Sequence, residues 1–290
     1  MIDSFLSTLH EIGVRFWLEG GEVHYRAPKG RLSPTDLAEI RFRKHEIAKF
    51  LASEQVTESS TSIQLSYGIR SDLDRSSSII LEREDRGDVK SLMERRNSRQ
   101  FAHEAIPLKD VARLLESLRS YAVGRGRKYR YASAGGLYPV QVYLYVHDRP
   151  QPDRVEGLSG GTYYYDPASH SLVTLAIGVQ LDVSAHAMIN RPVFNMATFS
   201  IFLIVDMGAI APTYGSESMR FACIEAGMMA QLLDQAAERC GIGLCHIGNV
   251  NILTHREKFQ LKDSHILLHA YLGGRRSAHE LIDYTSKAVD

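Results

Sequence analysis

The sequence predicts an α+β protein whose main domain is a mixed sheet flanked by helices, preceded by a small αββαα unit. Three observations carry this. The runs Phe199–Asp206 and Ile266–Leu272 are apolar without alternation, as strands buried on both faces are. Met219–Arg239 repeats apolar and small residues (Ala222, Ala226, Met229, Leu233, Ala236) on one helical face. The helices and strands do not alternate as βαβ units, which argues against a doubly wound parallel sheet. With 290 residues, 44% hydrophobic and 23% charged, the chain can fill one domain of about 200 residues and an appendage.

The elements follow in order. Phe5, Leu6, Leu9 and Ile12 recur at helical spacing, with Gly13 as a C-cap. Val14–Leu18 and Val23–Arg26 read as strands around the turn Glu19-Gly-Gly-Glu22. Leu37, Ile40, Ile47, Phe50 and Leu51 mark closing helices. Ser53–Ser62 loses periodicity and apolar content, as a linker does. The expected domains are therefore 1–52, a linker and lead-in over 53–87, and 88–290. Within the last, Val89, Leu92 and Met93 start a helix, and Val111, Leu114, Leu115 and Leu118 trace another. Tyr129–Ser133, Val140–Val146, Tyr163–Tyr165 and Leu172–Ala176 read as strands.

Charge and cysteines exclude several function classes. Lys+Arg and Asp+Glu are equal at 34, so no basic field exists to hold nucleic acid or an anionic membrane. Cys223, Cys240 and Cys245 are odd in number and clustered, unlike a disulfide framework. The first residues lack the apolar core of a signal peptide, and no apolar run approaches the roughly 20 residues that span a bilayer. A soluble cytoplasmic protein is expected.

Four segments could carry chemistry. Arg95, Arg96 and Arg99 surround Asn97 and Ser98, a donor set that suits a phosphate monoester or, equally, a solvated basic turn. Gly273-Gly-Arg275-Arg276 follows a buried strand and could close on the same phosphate. Tyr131–Pro139 is a small-residue loop that could set backbone N–H groups and Ser133 against a flat ring; it is neither a Walker loop nor a dinucleotide fingerprint. Gly241–Asn249 is a glycine-rich boundary whose Cys245-His246 lacks a second ligand pair, so no metal site is expected.

These segments resemble one family. Arg95–Phe101 is similar to the Arg-Arg-Ser-x-Arg-x-Phe opening of nitroreductase-like FMN enzymes, and Ala132–Pro139 resembles the Pro-Ser-Ala-Gly segment of their SagB-type dehydrogenase branch. Tyr214-Gly, Arg220-Phe221, Glu225-Ala-Gly227, Gln231 and Gly243–Gly248 fit the same branch, over most of 88–276. Leu6–Leu51, through Gly13–Trp17, Arg26–Gly30, Leu32 and Lys44, resembles the TubC-type docking domain of peptide synthetases.

The resemblance implies a nitroreductase-like FMN fold and an oxidase of carrier-bound thiazolines or oxazolines in nonribosomal peptide biosynthesis. It implies phosphate and ribityl contacts from Arg95, Arg96, Asn97 and Arg99, joined by Arg275 or Arg276. Asn97 stands where the motif has Ser. Ser133, Gly135, Gly136 and Tyr138 would line the isoalloxazine, Gln231 belongs to the matched helix, and Ile247 and Gly248 would bring backbone groups near N5. Related oxidases carry Lys-Tyr where this chain has Thr213-Tyr214, which leaves Tyr214 as base or proton relay and Lys128 as second choice. A homodimer and a synthetase partner follow from the same resemblance. An NAD(P)H-fed reductase and a non-catalytic docking adaptor remain the alternatives.

Overall fold

The computed structural model describes residues 97–150 and 152–277 throughout, and parts of 5–50 and 70–81. The helix expected from Val89, the Gly13 cap, the Gly20-Gly21 turn, the linker, Arg95 and Arg96 lie outside the described residues. The chain divides into two compact units, 1–82 and 83–290.

In the first unit β1 (Arg15–Glu19) and β2 (Glu22–Arg26) form the expected antiparallel pair, Arg15 opposite Arg26 and Glu19 opposite Glu22. The strand alternation turns Phe16 inward and leaves Trp17 41% exposed. Pro34 opens α1 (Pro34–Phe42), a position where its missing N–H costs nothing. A second helix, α2, covers 44–50. Leu9, Val14, Ile40 and Ile47 form the small core, against which Phe5, Leu6, Phe16 and Val23 pack.

The second unit is built on a seven-stranded sheet. Its members are β3 (Phe101–Ala102), β7 (Val140–Val146), β9 (Gly161–Asp166), β10 (Ser171–Ile177), β11 (Phe199–Asp206), β12 (Ile242–Ile247) and β13 (His265–Arg276). Their order is β10-β9-β7-β11-β13-β12, with β3 on the end of β13. Every described pairing in this sheet is antiparallel. The parallel pair, β4 (Ile106–Pro107) with β8 (Val155–Glu156), lies outside it. Helices α3 (Leu108–Glu116) and α6 (Ser218–Arg239) supply one core with Ile201, Leu203 and Val205 of β11. On the other face α4 (Arg191–Met196) and the 3₁₀ stretch Ile252–Phe259 pack against Phe202 and Ile204. Burial on both faces is why β11 shows no alternation. Helix α5 (Met207–Tyr214) follows β11, opened by Asp206, whose carboxylate accepts from the Gly208 amide at 2.9 Å.

Three expectations are corrected. Tyr129–Ser133 is not a strand: the ladder is β5 (Tyr121–Val123) with β6 (Gly126–Lys128), and the chain then leaves it. The alternating tyrosines serve ring packing instead, Tyr129 stacked on Tyr138 at 4.0 Å and Tyr131 edge-on to it at 5.7 Å. Gly241–Gly248 is not an element boundary but mainly strand β12, and Gly273–Arg276 lies inside β13 rather than beyond it. These glycines make room for neighbours. A Cβ on Gly273 would lie 2.4 Å from the Phe199 ring, one on Gly274 2.4 Å from Phe101, and one on Gly243 2.8 Å from Ser98.

Two buried histidines should weaken this unit in acid. Burial pulls His147 down to about 3 and His186 to about 4, from 6.5. The unfolded chain therefore binds protons below pH 6.5 that the native state refuses, and stability falls as pH drops from 6.5 toward 4. Each residue contributes on the order of 3–5 kcal/mol across its window. The rings of Tyr145 and Phe194 already pack on His147, whose Nε2 is buried without a partner. His147→Phe should accordingly raise the Tm at pH 5 far more than at pH 8, as read by circular dichroism.

Candidate functional site

The Ser133–Pro139 loop is shaped by unusual backbone. Gly135, Gly136 and Tyr138 have φ of +60°, +66° and +49°. The Ser133 hydroxyl oxygen accepts from the Tyr138 amide at 2.9 Å. Tyr214, half-buried at the end of α5, packs its ring against Phe221 at 4.9 Å. Its hydroxyl comes so close to Gly135 that a Cβ there would meet it at 2.8 Å, and the φ of +60° independently favours glycine at this position. Behind the loop lies Glu225 of α6, only 1% exposed. It accepts from the Val140 amide at 3.3 Å and is hydrogen-bonded to the Ser133 side chain. Burial pushes its carboxyl up to about 7, against the pull of those two hydrogen bonds. Ser133, Gly135, Tyr138 and Tyr214 are thus brought together, and Glu225 joins them.

The other expected residues fall at both ends of β12, Ile247 and Gly248 at its end and Arg275 and Arg276 at its start, beside the C-terminal end of α6. The Asn97 side-chain oxygen accepts from the His246 amide at 3.3 Å, and the Ser98 amide donates to the Leu244 carbonyl at 2.9 Å. This seats the segment along β12, with Arg99 exposed after it. Arg275 reaches Asp110 at 3.4 Å and the Cys240 carbonyl at 3.3 Å, and Arg276 lies 3.7 Å from Glu238. Ile247 is 1% exposed, so its side chain belongs to the core and only its backbone is available to a ligand. Gly248 faces open space. Gln231 is exposed on α6, and Lys128 is exposed on β6 opposite Tyr121.

The two groups do not converge within one chain. The loop leads into Val140, in register through Val205 with Ile266 at the start of β13, whereas Arg275 stands nine residues further along that strand, about 30 Å away. Along α6, Glu225 and Glu238 are separated by about 20 Å of helix.

One arrangement escaped sequence reasoning. His246 Nε2 meets the Asp234 carboxylate at 2.9 Å, and His246 Nδ1 meets His269 Nε2 at 2.9 Å. With Asp234 accepting from Nε2–H, His246 accepts at Nδ1 from His269, so both tautomers are set. Burial, and His246 beside it, hold His269 below the ordinary histidine range. Both rings line a cavity of about 220 Å³ with Cys223, Gly227 and Ala230 of α6. The three residues sit on three elements with no motif spacing, so the sequence carries no signal for them. Among the described residues, no group of three or more His, Cys, Asp or Glu is arranged to hold a metal ion. Nor is any helix there long and apolar enough to cross a membrane.

Comparison with known proteins identifies the two units and the fold of the second. The TubC N-terminal docking domain matches residues 2–53. Indigoidine synthase of Streptomyces lavendulae is 31% identical over 117 residues, 40% of this chain. That stretch is 8% of the synthase, so the chain spans a small part of this relative. A Dickeya dadantii indigoidine synthase is 30% identical over 117 residues, 40% of this chain and 7% of its own length. Among solved structures, a nitroreductase of Ralstonia eutropha JMP134 superposes with a TM-score of 0.52 at 21% identity, covering 72% of this chain and 88% of that one. The Escherichia coli microcin synthetase complex McbBCD, solved with truncated pro-MccB17, contains a chain matched at TM-score 0.53 and 16% identity, over 86% of this chain and 100% of that one. Both likenesses show the α+β fold. The Nitroreductase family, whose proteins are flavoproteins and generally bind FMN, matches residues 92–274, and this chain belongs to it.

Proposed function

We propose that the protein is an FMN-dependent oxidase that dehydrogenates a carrier-bound thiazoline or oxazoline to the azole in nonribosomal peptide biosynthesis, with electrons passed to dioxygen. One observation carries the reading: a nitroreductase-family domain and a TubC docking domain share one chain. The fold likeness to a chain of the microcin synthetase complex supports it.

The residues present fit FMN. Gly136 and Gly248 each have open space where a Cβ would stand, leaving their backbone open to a ligand. Arg99, Arg275 and Arg276, with Arg95 and Arg96, are the cations proposed to take a terminal phosphate monoester, which several charge-assisted donors suit. Asn97, Ser133, Gly135, Tyr138, Gln231 and the Ile247 backbone complete the proposed set. Bound FMN supplies the hydride acceptor. Tyr214 then takes or relays the proton lost from the neighbouring ring carbon, with Lys128 as the next candidate.

The separation of the two residue groups favours a homodimer. Two copies of α6 packed antiparallel would bring the Glu225 end of one chain to the Glu238 end of the other, completing a site at the seam. A monomer by light scattering that still holds FMN would defeat this.

The reaction is tested without oxygen. A carrier-bound thiazoline should bleach the flavin, and oxygen should restore the colour with release of peroxide. Rapid bleaching by NAD(P)H with none by the azoline would establish the reductase instead, and no bleaching by either would favour the adaptor. Deleting residues 1–53 should leave FMN bound and lower turnover of carrier-bound substrate at low concentration, because tethering raises local substrate to about the millimolar range. Equal turnover by full-length and truncated protein would contradict that role.

A further inference from the structure

We propose that Glu225 is a positioning residue that shapes the Ser133–Pro139 loop for the flavin ring, acting through Ser133; this rests on the reading that the loop lines the flavin. Tyr138 is the one non-glycine residue of the loop at positive φ, +49°, a conformation that persists only when its surroundings impose it. Two things impose it. The Tyr129 and Tyr131 rings pack on its ring, at 4.0 and 5.7 Å between centroids. The Ser133 hydroxyl oxygen takes its amide at 2.9 Å.

The direction of each hydrogen bond follows. The Tyr138 N–H can only donate, so Ser133 Oγ accepts it and turns its own proton toward Glu225. The Val140 N–H can also only donate, and Glu225 Oε1 accepts it. One buried carboxylate thereby holds both ends of the loop, at Ser133 and at Val140. The ionised form satisfies every donor, whereas a protonated carboxyl brings a further proton into a site already supplied with them. The titratable groups facing Glu225 are Tyr129 and Tyr131, both held neutral by burial, and no cation among the described residues acts on it. Its titration near neutrality therefore reports on the loop.

The test uses the full chain, wild type beside Glu225→Ala, Glu225→Gln and Ser133→Ala. Amide exchange is followed in flavin-free protein, and FMN affinity is measured at pH 6 and pH 8. In Glu225→Ala and Ser133→Ala, exchange at Tyr138 should quicken by about tenfold while β11 amides keep their protection, and FMN should bind about tenfold more weakly. Wild type should lose FMN affinity several-fold from pH 8 to pH 6; Glu225→Gln keeps an acceptor, so it should preserve protection at Val140 and show a clearly smaller loss, the remainder coming from the FMN phosphate. If Glu225→Ala does not fold, this pH comparison in the Gln variant decides. FMN bound equally by wild type and Glu225→Ala, with Tyr138 exchange unchanged, overturns the proposal alone, as does a Gln variant with the pH dependence of wild type. Wild type that binds no FMN at either pH overturns the flavin reading and the proposal with it.

Discussion

Tyr214→Phe should keep FMN bound and slow azoline oxidation by about 10²–10⁴-fold, the range spanned by loss of a positioned proton-transfer group. The substitution removes one oxygen and leaves the ring contact with Phe221 in place. It also relieves the approach to Gly135, so the loop has no reason to move. Flavin affinity and Tm are thus the internal controls, and a change in either would mean that the variant disturbs more than the proton path. Thr213 beside it offers no second base, which is why the expected loss is large. A rate within a few-fold of wild type would remove Tyr214 from the mechanism and move attention to Lys128.

Gly273→Ala should prevent stable folding, or lower stability by about 3 kcal/mol or more, the upper range for overpacking a core. Gly273 stands directly opposite Phe199 in the β11–β13 ladder, and the ring lies across it. A methyl group would meet three ring atoms at 2.4, 2.5 and 2.9 Å, and Phe199 is fully buried with nowhere to turn. The paired variant Gly273→Ala with Phe199→Leu should recover part of the loss, as the smaller side chain vacates the contact. Denaturant unfolding of the two variants measures this. Full stability of Gly273→Ala alone would show that the strand pair relaxes more easily than its packing implies.

The same glycine shows where the sequence was legible and where it was not. β11 and α6 were readable to within a residue, because a strand buried on both faces and a long helix with one small-residue stripe each leave a pattern over many positions. The β1–β2 hairpin was readable from its turn. Gly273-Gly274 was placed beyond its strand because glycine has the same sequence appearance whether it ends an element or yields space to an aromatic ring across a ladder. Only the partner, Phe199 or Phe101, decides between these, and it lies 74 or 173 positions away. The candidate site was legible as segments but not as a geometry. Ser133, Gly135, Tyr138 and Tyr214 do meet, yet Glu225, visible only as part of a helix motif, proves to be the residue that joins them.

Because one chain carries the two groups of site residues apart, the proposed dimer has a genetic signature. A chain defective only at Tyr214 and a chain defective only at Arg99 would each form inactive pairs with themselves. Mixed pairs would combine both lesions in one site and leave the other site with intact residues from both chains. Each mixed pair should therefore have half the activity of a wild-type pair, and co-expression of the two dead alleles with random pairing should restore about a quarter of wild-type activity, whereas two lesions carried on the same chain, paired with wild type, would spoil both sites at once.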